Sequence, residues 1–260
     1  MRQLGRNILL LFYAISVALS GATPASASDA ALQHSSSTAE KYLLDAANQE
    51  RAARGLPLLH VDVALSQAAE THAELMAART DLSHQFAGEP DLSRRVAYVG
   101  LRFSMISENV ADAPDPFTIH DMWMHSPGHR ANLLDPKVDS IGIAVIDWKG
   151  QLYAVEDFAT TVDELTIAQQ EAAVADSLAD SGMTIANDAD ARQTCAMPSG
   201  YVGERPSYLM RYTAASLDQV PEELQSRLGS GRYRRLKVGA CEAKEGGAVA
   251  TYTLAVMFYP

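Results

Sequence analysis

Helical patterns come first in the N-terminal two-thirds of this chain and strand patterns follow them. That order favours a layered α+β fold over a sheet in which strands and helices alternate. Residues 63–80 place Leu65, Ala68, Ala69, His72, Leu75 and Met76 at the i, i+3, i+4, i+7 spacing of one helix face, and Asp62 is positioned to cap the start. Residues 41–54 set Leu43, Leu44 and Ala47 on one side and stop at Gly55. Shorter helices are expected at 91–100 and 116–125, the second ending before Pro127 because pre-proline residues disfavour the helical region. Residues 112–116 read as a Pro-containing loop. Strands are expected at 140–146 and 151–160, joined by Asp147-Trp148-Lys149-Gly150 with Gly in a left-handed position.

Between these patterns lies the densest run of the sequence, Trp123-Met124-His125-Ser126-Pro127-Gly128-His129-Arg130-Ala131-Asn132-Leu133-Leu134. Pro127-Gly128 fits the central pair of a type II turn, which would hold Ser126 and His129 within about 7 Å of each other. Trp123, Leu133, Leu134 and Phe158 are expected to fill a core, and Asn132 to cap or brace the turn.

Residues 1–27 read as a signal peptide: Arg2 and Arg6, an apolar run over 8–19 too short to span a bilayer, then Ala25-Ser26-Ala27. Residues 28–39 read as a small, polar linker. The net charge of −11 makes nucleic acid an improbable partner, since phosphate binding needs clustered Lys and Arg. The basic cluster 232–237 reads as the solvated face of a strand. No later stretch is apolar enough to be an integral membrane span. The two cysteines, Cys195 and Cys241, are expected to form a disulfide that contributes roughly 3–4 kcal/mol in the chain-entropy model.

The texture changes after residue 161. Residues 162–190 read as a helical linker. Residues 191–260 read as a small α+β domain with strands at 207–213, 233–241 and 250–259 and a helix at 221–228. No internal sequence repeat relates the two halves.

The chemistry-bearing residues are spread along the chain. Beyond the linker, the histidines are His60, His72, His84, His120, His125 and His129. Glu108 stands in Ser107-Glu108-Asn109-Val110. There is no HExxH motif, so spacing alone does not build a metal or catalytic site. His72 lies on an apolar stripe and reads as a core histidine with one hydrogen-bond partner.

The run from Trp123 to Leu134 nevertheless resembles the signature of the CAP (SCP-like) superfamily in its bacterial form. That superfamily includes cysteine-rich secretory proteins, antigen 5 and plant pathogenesis-related class 1 proteins. Supporting pieces fall in family order: Asn48-Gln49-Glu50-Arg51 with Gly55-Leu56 and Leu59, then Ala69, His72 and Met76, then Leu82-Ser83-His84. Glu108-Asn109-Val110, Ile141-Gly142-Ile143-Ala144 and Tyr153-Ala154-Val155-Glu156-Asp157-Phe158-Ala159 complete the set. The resemblance covers residues 40–161 and implies a three-layer α-β-α sandwich, followed here by the small disulfide-bonded α+β domain. It also implies that His84, Glu108 and His129 match three members of a cleft tetrad of two His and two acids. The fourth position holds Ser126, the usual occupant in the bacterial branch. Glu156 stands where many relatives carry Gln; strand alternation decides whether it returns an acid to the cleft or faces solvent.

Three functions are consistent with these residues. The first is a secreted (extracellular or periplasmic) binding module for an extracellular protein, lipid or cell-wall component, with no required cofactor. The second is a weak, exchangeable divalent-metal site of the zinc type, with His84, His129 and Glu108 as ligands. The third is a hydrolase in which Ser126, His129 and Glu108 act as nucleophile, base and orienting acid. The binding module ranks first, because Ser126 removes a carboxylate and Pro127 removes a backbone donor. If both histidines flank ionised Glu108, at least one has a raised pKa.

Overall fold

The computed structural model describes residues 37–242 and 249–260; the expected signal peptide (1–27) and residues 28–36 of the expected linker lie outside them. Ser37 caps the first helix through a reciprocal bond with Glu40, so Thr38 and Ala39 are helical and not linker.

Nine elements build the first layered unit. They are α1 (Thr38–Ala52), β1 (His60–Val61), α2 (Val63–Arg79), α3 (Leu92–Tyr98), β2 (Phe103–Ala113), α4 (Pro116–His125), α5 (Pro127–Leu133), β3 (Ser140–Trp148) and β4 (Gln151–Thr161). The sheet order is β1-β3-β4-β2, with β1 parallel to β3 and the other pairs antiparallel. Strand alternation gives the sheet two apolar faces. Ile141, Ile143 and Phe158 pack against Leu43, Ala47, Ile119, Trp123 and Leu133 from α1, α4 and α5. On the other face Val110, Ala144 and Val155 meet Ala69, Ala73 and Met76 of α2. The result is the expected three-layer α-β-α sandwich.

Three local expectations are corrected. Pro127-Gly128 is not a type II turn. Pro127 opens α5, Gly128 is not among the positive-φ residues, and Ser126 (φ −91°, ψ 119°) is the extended hinge between α4 and α5. Proline's fixed φ suits the first helical position, and the residue before it is driven out of the helical region. The β3–β4 loop is shorter than the four residues expected. Trp148 pairs with Gln151, and only Lys149 (φ 58°) and Gly150 (φ 84°) turn the chain, both with the positive φ of a type I′ hairpin. Asp112 belongs to a strand, not a loop. The eleven-residue β2 was hidden because Ser107, Glu108, Asn109 and Asp112 interrupt its apolar alternation.

A second sheet follows, built from α6 (Ile167–Ser177), β5 (Thr184–Ala186), α7 (Ala189–Ala196), β6 (Tyr208–Ala214), α8 (Glu222–Leu228), β7 (Arg235–Cys241) and β8 (Tyr252–Tyr259), in the order β5-β7-β8-β6. Val174 and Leu178 are buried against Leu236, Val238, Leu254 and Phe258. Residues 162–190 are therefore not a linker: they supply a helix and a strand to this sheet. Cys195 on α7 is bonded to Cys241 at the end of β7, with Cα atoms 5.7 Å apart. In the basic cluster, Lys237 pairs with Asp188 at 2.6 Å and Arg235 with Glu204 at 2.9 Å.

One buried cation holds the histidine-bearing side of the first unit. Arg51, at the end of α1, is fully buried. It donates to the carbonyls of Pro57 (2.7 Å), Leu133 (2.9 Å), Asp135 (2.9 Å) and Val138 (3.1 Å). These carbonyls belong to the loop before β1, the last residue of α5 and the loop between α5 and β3, where no strand partner serves them. Arg51→Met leaves several buried acceptors unsatisfied and is expected to cost at least about 3 kcal/mol in urea unfolding. Arg51→Lys restores only part of that, because one ammonium cannot serve the planar fork's several directions. A loss under about 1 kcal/mol for Arg51→Met would contradict this role.

Candidate functional site

The cleft lies at the β2 edge of the first sheet, where side chains from both faces can meet. Glu108 sits on the face that carries α2. His84 comes from the loop after α2, and His129 comes around the edge on α5. His84 Nδ1 lies 2.8 Å from Glu108 Oε1. The rings of His84 and His129 are 6.4 Å apart between centroids. The three residues expected to converge do so.

The position of α5 follows from two asparagines. Asn109 donates to the His129 carbonyl at 3.1 Å. Asn132 donates to the Asn109 side-chain oxygen at 3.0 Å and to the Glu108 carbonyl at 3.2 Å. Asn132 therefore braces α5 against β2 and does not cap a turn. Trp123 sits beneath, fully buried, with its indole N–H on the Val110 carbonyl at 3.2 Å.

Glu108 is committed on both oxygens. Oε1 accepts from His84, and Oε2 is paired with the buried Arg95 of α3. Arg95 also donates to Glu89 (3.3 Å) and to the His84 carbonyl (3.2 Å). His72 is the next member. Its Nδ1 lies 2.6 Å from Glu89 and its Nε2 2.7 Å from the Ser83 carbonyl, so it has two partners where one was expected. Both partners are acceptors, so either the ring carries both hydrogens or Glu89 supplies one. The sequence did not single out Arg95, Glu89 or Asp157 as site residues. Their one signal was charged character inside otherwise semi-apolar segments.

Glu156 does not restore an acid to the cleft, and it does not face solvent. In the β2–β4 register it pairs with Asn109, while Asp157 pairs with Glu108, so alternation sends Glu156 to the opposite face. It is fully buried, and burial pushes its pKa up to about 8, with Asn109 beside it pulling the other way. Asp157 is the acid beside Glu108. Burial first, and then the Glu108 charge, hold its pKa well above the usual range, with Arg95 opposing.

The two histidines titrate in opposite directions. The hydrogen bond to Glu108 raises the His84 pKa, against partial desolvation. Desolvation, and then the His84 charge, lower that of His129. His84 donates from Nδ1, which leaves its Nε2 without a hydrogen bond among the described residues, as is the His129 ring.

These atoms do not make a good metal centre. With Glu108 held by Arg95 and His84, only two imidazoles remain, fewer than the three protein ligands usual for catalytic zinc. Among the described residues no group of three or more His, Cys, Asp or Glu is disposed to hold a metal ion. A serine triad is not assembled either. Ser126 makes no capping bond, and no hydrogen bond joins its hydroxyl to His129 among the described residues. Glu108 orients His84 and not His129.

Proton titration followed by NMR is expected to place His84 above the ordinary imidazole range and His129 below it. The His84–Glu108 contact stabilises the fold fully below the unfolded imidazole pKa of about 6.5, and that contribution fades as pH rises through the higher folded value. Glu108→Gln should bring His84 down and cost about 1–3 kcal/mol, because Arg95 loses one of its two buried carboxylate partners and keeps Glu89. An unshifted His84 in the wild-type chain would contradict the geometry. For Glu156 the folded pKa is raised, so its contribution is present below the unfolded carboxylate value and is lost as pH climbs through about 8. Glu156→Gln is therefore expected to raise stability at pH 7.5 by up to roughly 3 kcal/mol and to flatten, without abolishing, the fall in stability between pH 5 and 8. A destabilised variant with an unchanged pH profile would refute a protonated Glu156.

Residues 44–161 match the CAP, or cysteine-rich secretory protein, family. "Uncharacterized protein YkwD" of Bacillus subtilis (strain 168) is 29% identical over 109 residues, 42% of this chain and 42% of that protein. "Uncharacterized membrane protein YlbC" of the same organism is 29% identical over 123 residues, 47% of this chain and 36% of that protein. The chain thus spans less than half the length of either relative. Among solved structures, an extracellular protein containing a SCP domain from Bacillus anthracis str. Ames is 26% identical, with a TM-score of 0.44 over 46% of this chain and 40% of that one. Residues 44–161 are a CAP domain of the cysteine-rich secretory protein family.

Proposed function

We propose that this chain is a secreted or cell-envelope binding module whose ligand docks on the His84–His129 wall of the CAP cleft. The observation that carries this reading is the commitment of Glu108. A carboxylate shared between a buried guanidinium and the His84 imidazole is not free to ligate a metal or to orient His129 beside Ser126, but it does fix the His84 ring. It holds His84, whose side chain is 60% exposed, with one ring nitrogen turned away from the bond. Two such rings side by side offer hydrogen-bonding atoms of opposite proton affinity, a suitable surface for recognising polar groups on an extracellular protein, lipid headgroup or cell-wall polymer. Export fits the pattern of residues 1–27 and the presence of a disulfide. Among the described residues no helix is long and apolar enough to cross a membrane.

A hydrolytic role has no observation in its favour, since Ser126 and His129 are not hydrogen-bonded. The test pairs binding with chemistry. The wild-type chain and the His84→Gln/His129→Gln double variant are sedimented with purified cell-wall sacculi and with lipid vesicles. Both are also treated with a fluorophosphonate probe. Binding to one of the two surfaces, lost at least tenfold in the double variant, with no labelling of Ser126, is the expected result. Binding to neither surface, binding indifferent to the double variant, or labelling that disappears in Ser126→Ala would each overturn the reading.

A further inference from the structure

We infer that residues 167–242 and 249–259 are a second copy of the CAP fold in which the histidines and glutamate of the cleft are not repeated. The inference does not depend on what the cleft of the first copy binds. The two sheets have the same strand order, β1-β3-β4-β2 and β5-β7-β8-β6, each with a short parallel strand at one edge and antiparallel pairs elsewhere. The helices alternate with the strands in the same sequence, with α6, α7 and α8 standing where α1, α2 and α4 stand. Their faces also agree: α2 and α7 pack on β3 and β7, as α1 and α6 do from the other side.

Position-specific details repeat as well. Asp62 caps α2 through the Leu65 N–H, and Asp188 caps α7 through the Ala191 N–H. A Cβ on Gly142 of β3 would fall 2.3 Å from the Leu65 backbone, and one on Gly239 of β7 would fall 2.2 Å from the Ala191 backbone. Helix and sheet thus approach each other at the same helical residue in both copies, and glycine is needed at both. In each copy a glutamate of the first helix accepts from an N–H of the central strand, though at different register positions: Glu40 from Val145, the third residue after Gly142, and Glu171 from Ala240, the first after Gly239.

Register carried from these anchors shows what was lost. The counterpart of Glu108 is Arg211, whose guanidinium is bonded to the carbonyls of Thr194 and Gly200. The segment between α7 and β6 contains no histidine and no second helix in the place of α3, so His84 and Arg95 have no counterparts. None follows α8 in the place of α5, so His129 has none either. Among the described residues the His84–Glu108–His129 cluster occurs once. The duplication leaves no repeat in the sequence because it survives in cap, glycine and register positions, while the recognisable motifs are the cleft residues.

The same register makes a prediction. Counting from the paired anchors, Cys195 stands at the position of Ala69 and Cys241 at that of Ala144. Ala69 and Ala144 are buried together in one core cluster of the first copy. In the full chain, Ala69→Cys with Ala144→Cys should form a second internal disulfide, since the equivalent pair in the second copy spans 5.7 Å between Cα atoms, inside the usual range. Peptide mapping should find 69 joined to 144 and 195 joined to 241, with no free thiol. A folded variant with thiols left free at 69 and 144, or with any other pairing, would overturn the inference. If the four-cysteine chain does not fold, Cys195→Ala with Cys241→Ala decides instead. Alanines fill this contact in the first copy, so that variant should fold with a lowered Tm, and failure to fold would overturn the inference.

Discussion

The carboxylate of Glu108 ties the cleft to the core. It is buried at the edge strand of the first sheet, between a guanidinium that comes from α3 and an imidazole that comes from the loop after α2. A buried carboxylate with only one of these partners would be costly, because desolvation would exceed a single Coulombic contact. With both partners it becomes a rigid joint. Three consecutive chain segments, the loop after α2, α3 and β2, are fixed to one another through it, and the outer imidazole is presented with a defined orientation. The chemistry open to the cleft follows from that commitment: a fixed ring remains for recognition, and no free carboxylate remains for ligating a metal or for orienting His129.

Around this joint lie further buried polar groups in a sheet that is otherwise apolar. Asp157 is beside Glu108 on one face, and Glu156 is under Asn109 on the other. The carboxyl oxygens of both lack hydrogen-bond partners. Burial raises the pKa of both, which makes the strand a pH-sensitive element of the fold. On the far side, Arg51 does the converse. It brings one permanent charge to a set of loop carbonyls and holds α5, and with it His129, in place. The cleft is therefore braced by two buried arginines together with Asn109 and Asn132.

Much of this was legible in the sequence where local rules and core periodicity agreed. Asp62 marked the start of α2, Pro127 marked the break after α4, and the ordered motifs placed His84, Glu108 and His129 together. The misreadings share one cause. Where tertiary contacts replace solvent or strand partners, local pattern gives the wrong answer. Pro127-Gly128 reads as a turn in isolation, but α5 is held as a helix by Asn109 and Asn132. Strand β2 looks like a loop because its polar residues serve the cleft. Glu156 looked like a cleft or surface acid because an unpaired buried carboxylate is improbable in advance. The second copy was invisible because its anchors are single residues, an aspartate cap and a glycine contact, that composition cannot distinguish from ordinary ones.

The most direct test of the account is the tautomer of His84, read from ring ¹⁵N shifts and long-range ¹H–¹⁵N couplings above its pKa, without metal. A carboxylate that accepts at Nδ1 fixes the hydrogen there and leaves Nε2 bare. The account predicts the Nδ1–H tautomer for His84 in the wild-type chain and its loss in Glu108→Gln. A His84 that is Nε2–H in the wild type, or indifferent to Glu108, would contradict the claim that Glu108 orients the cleft.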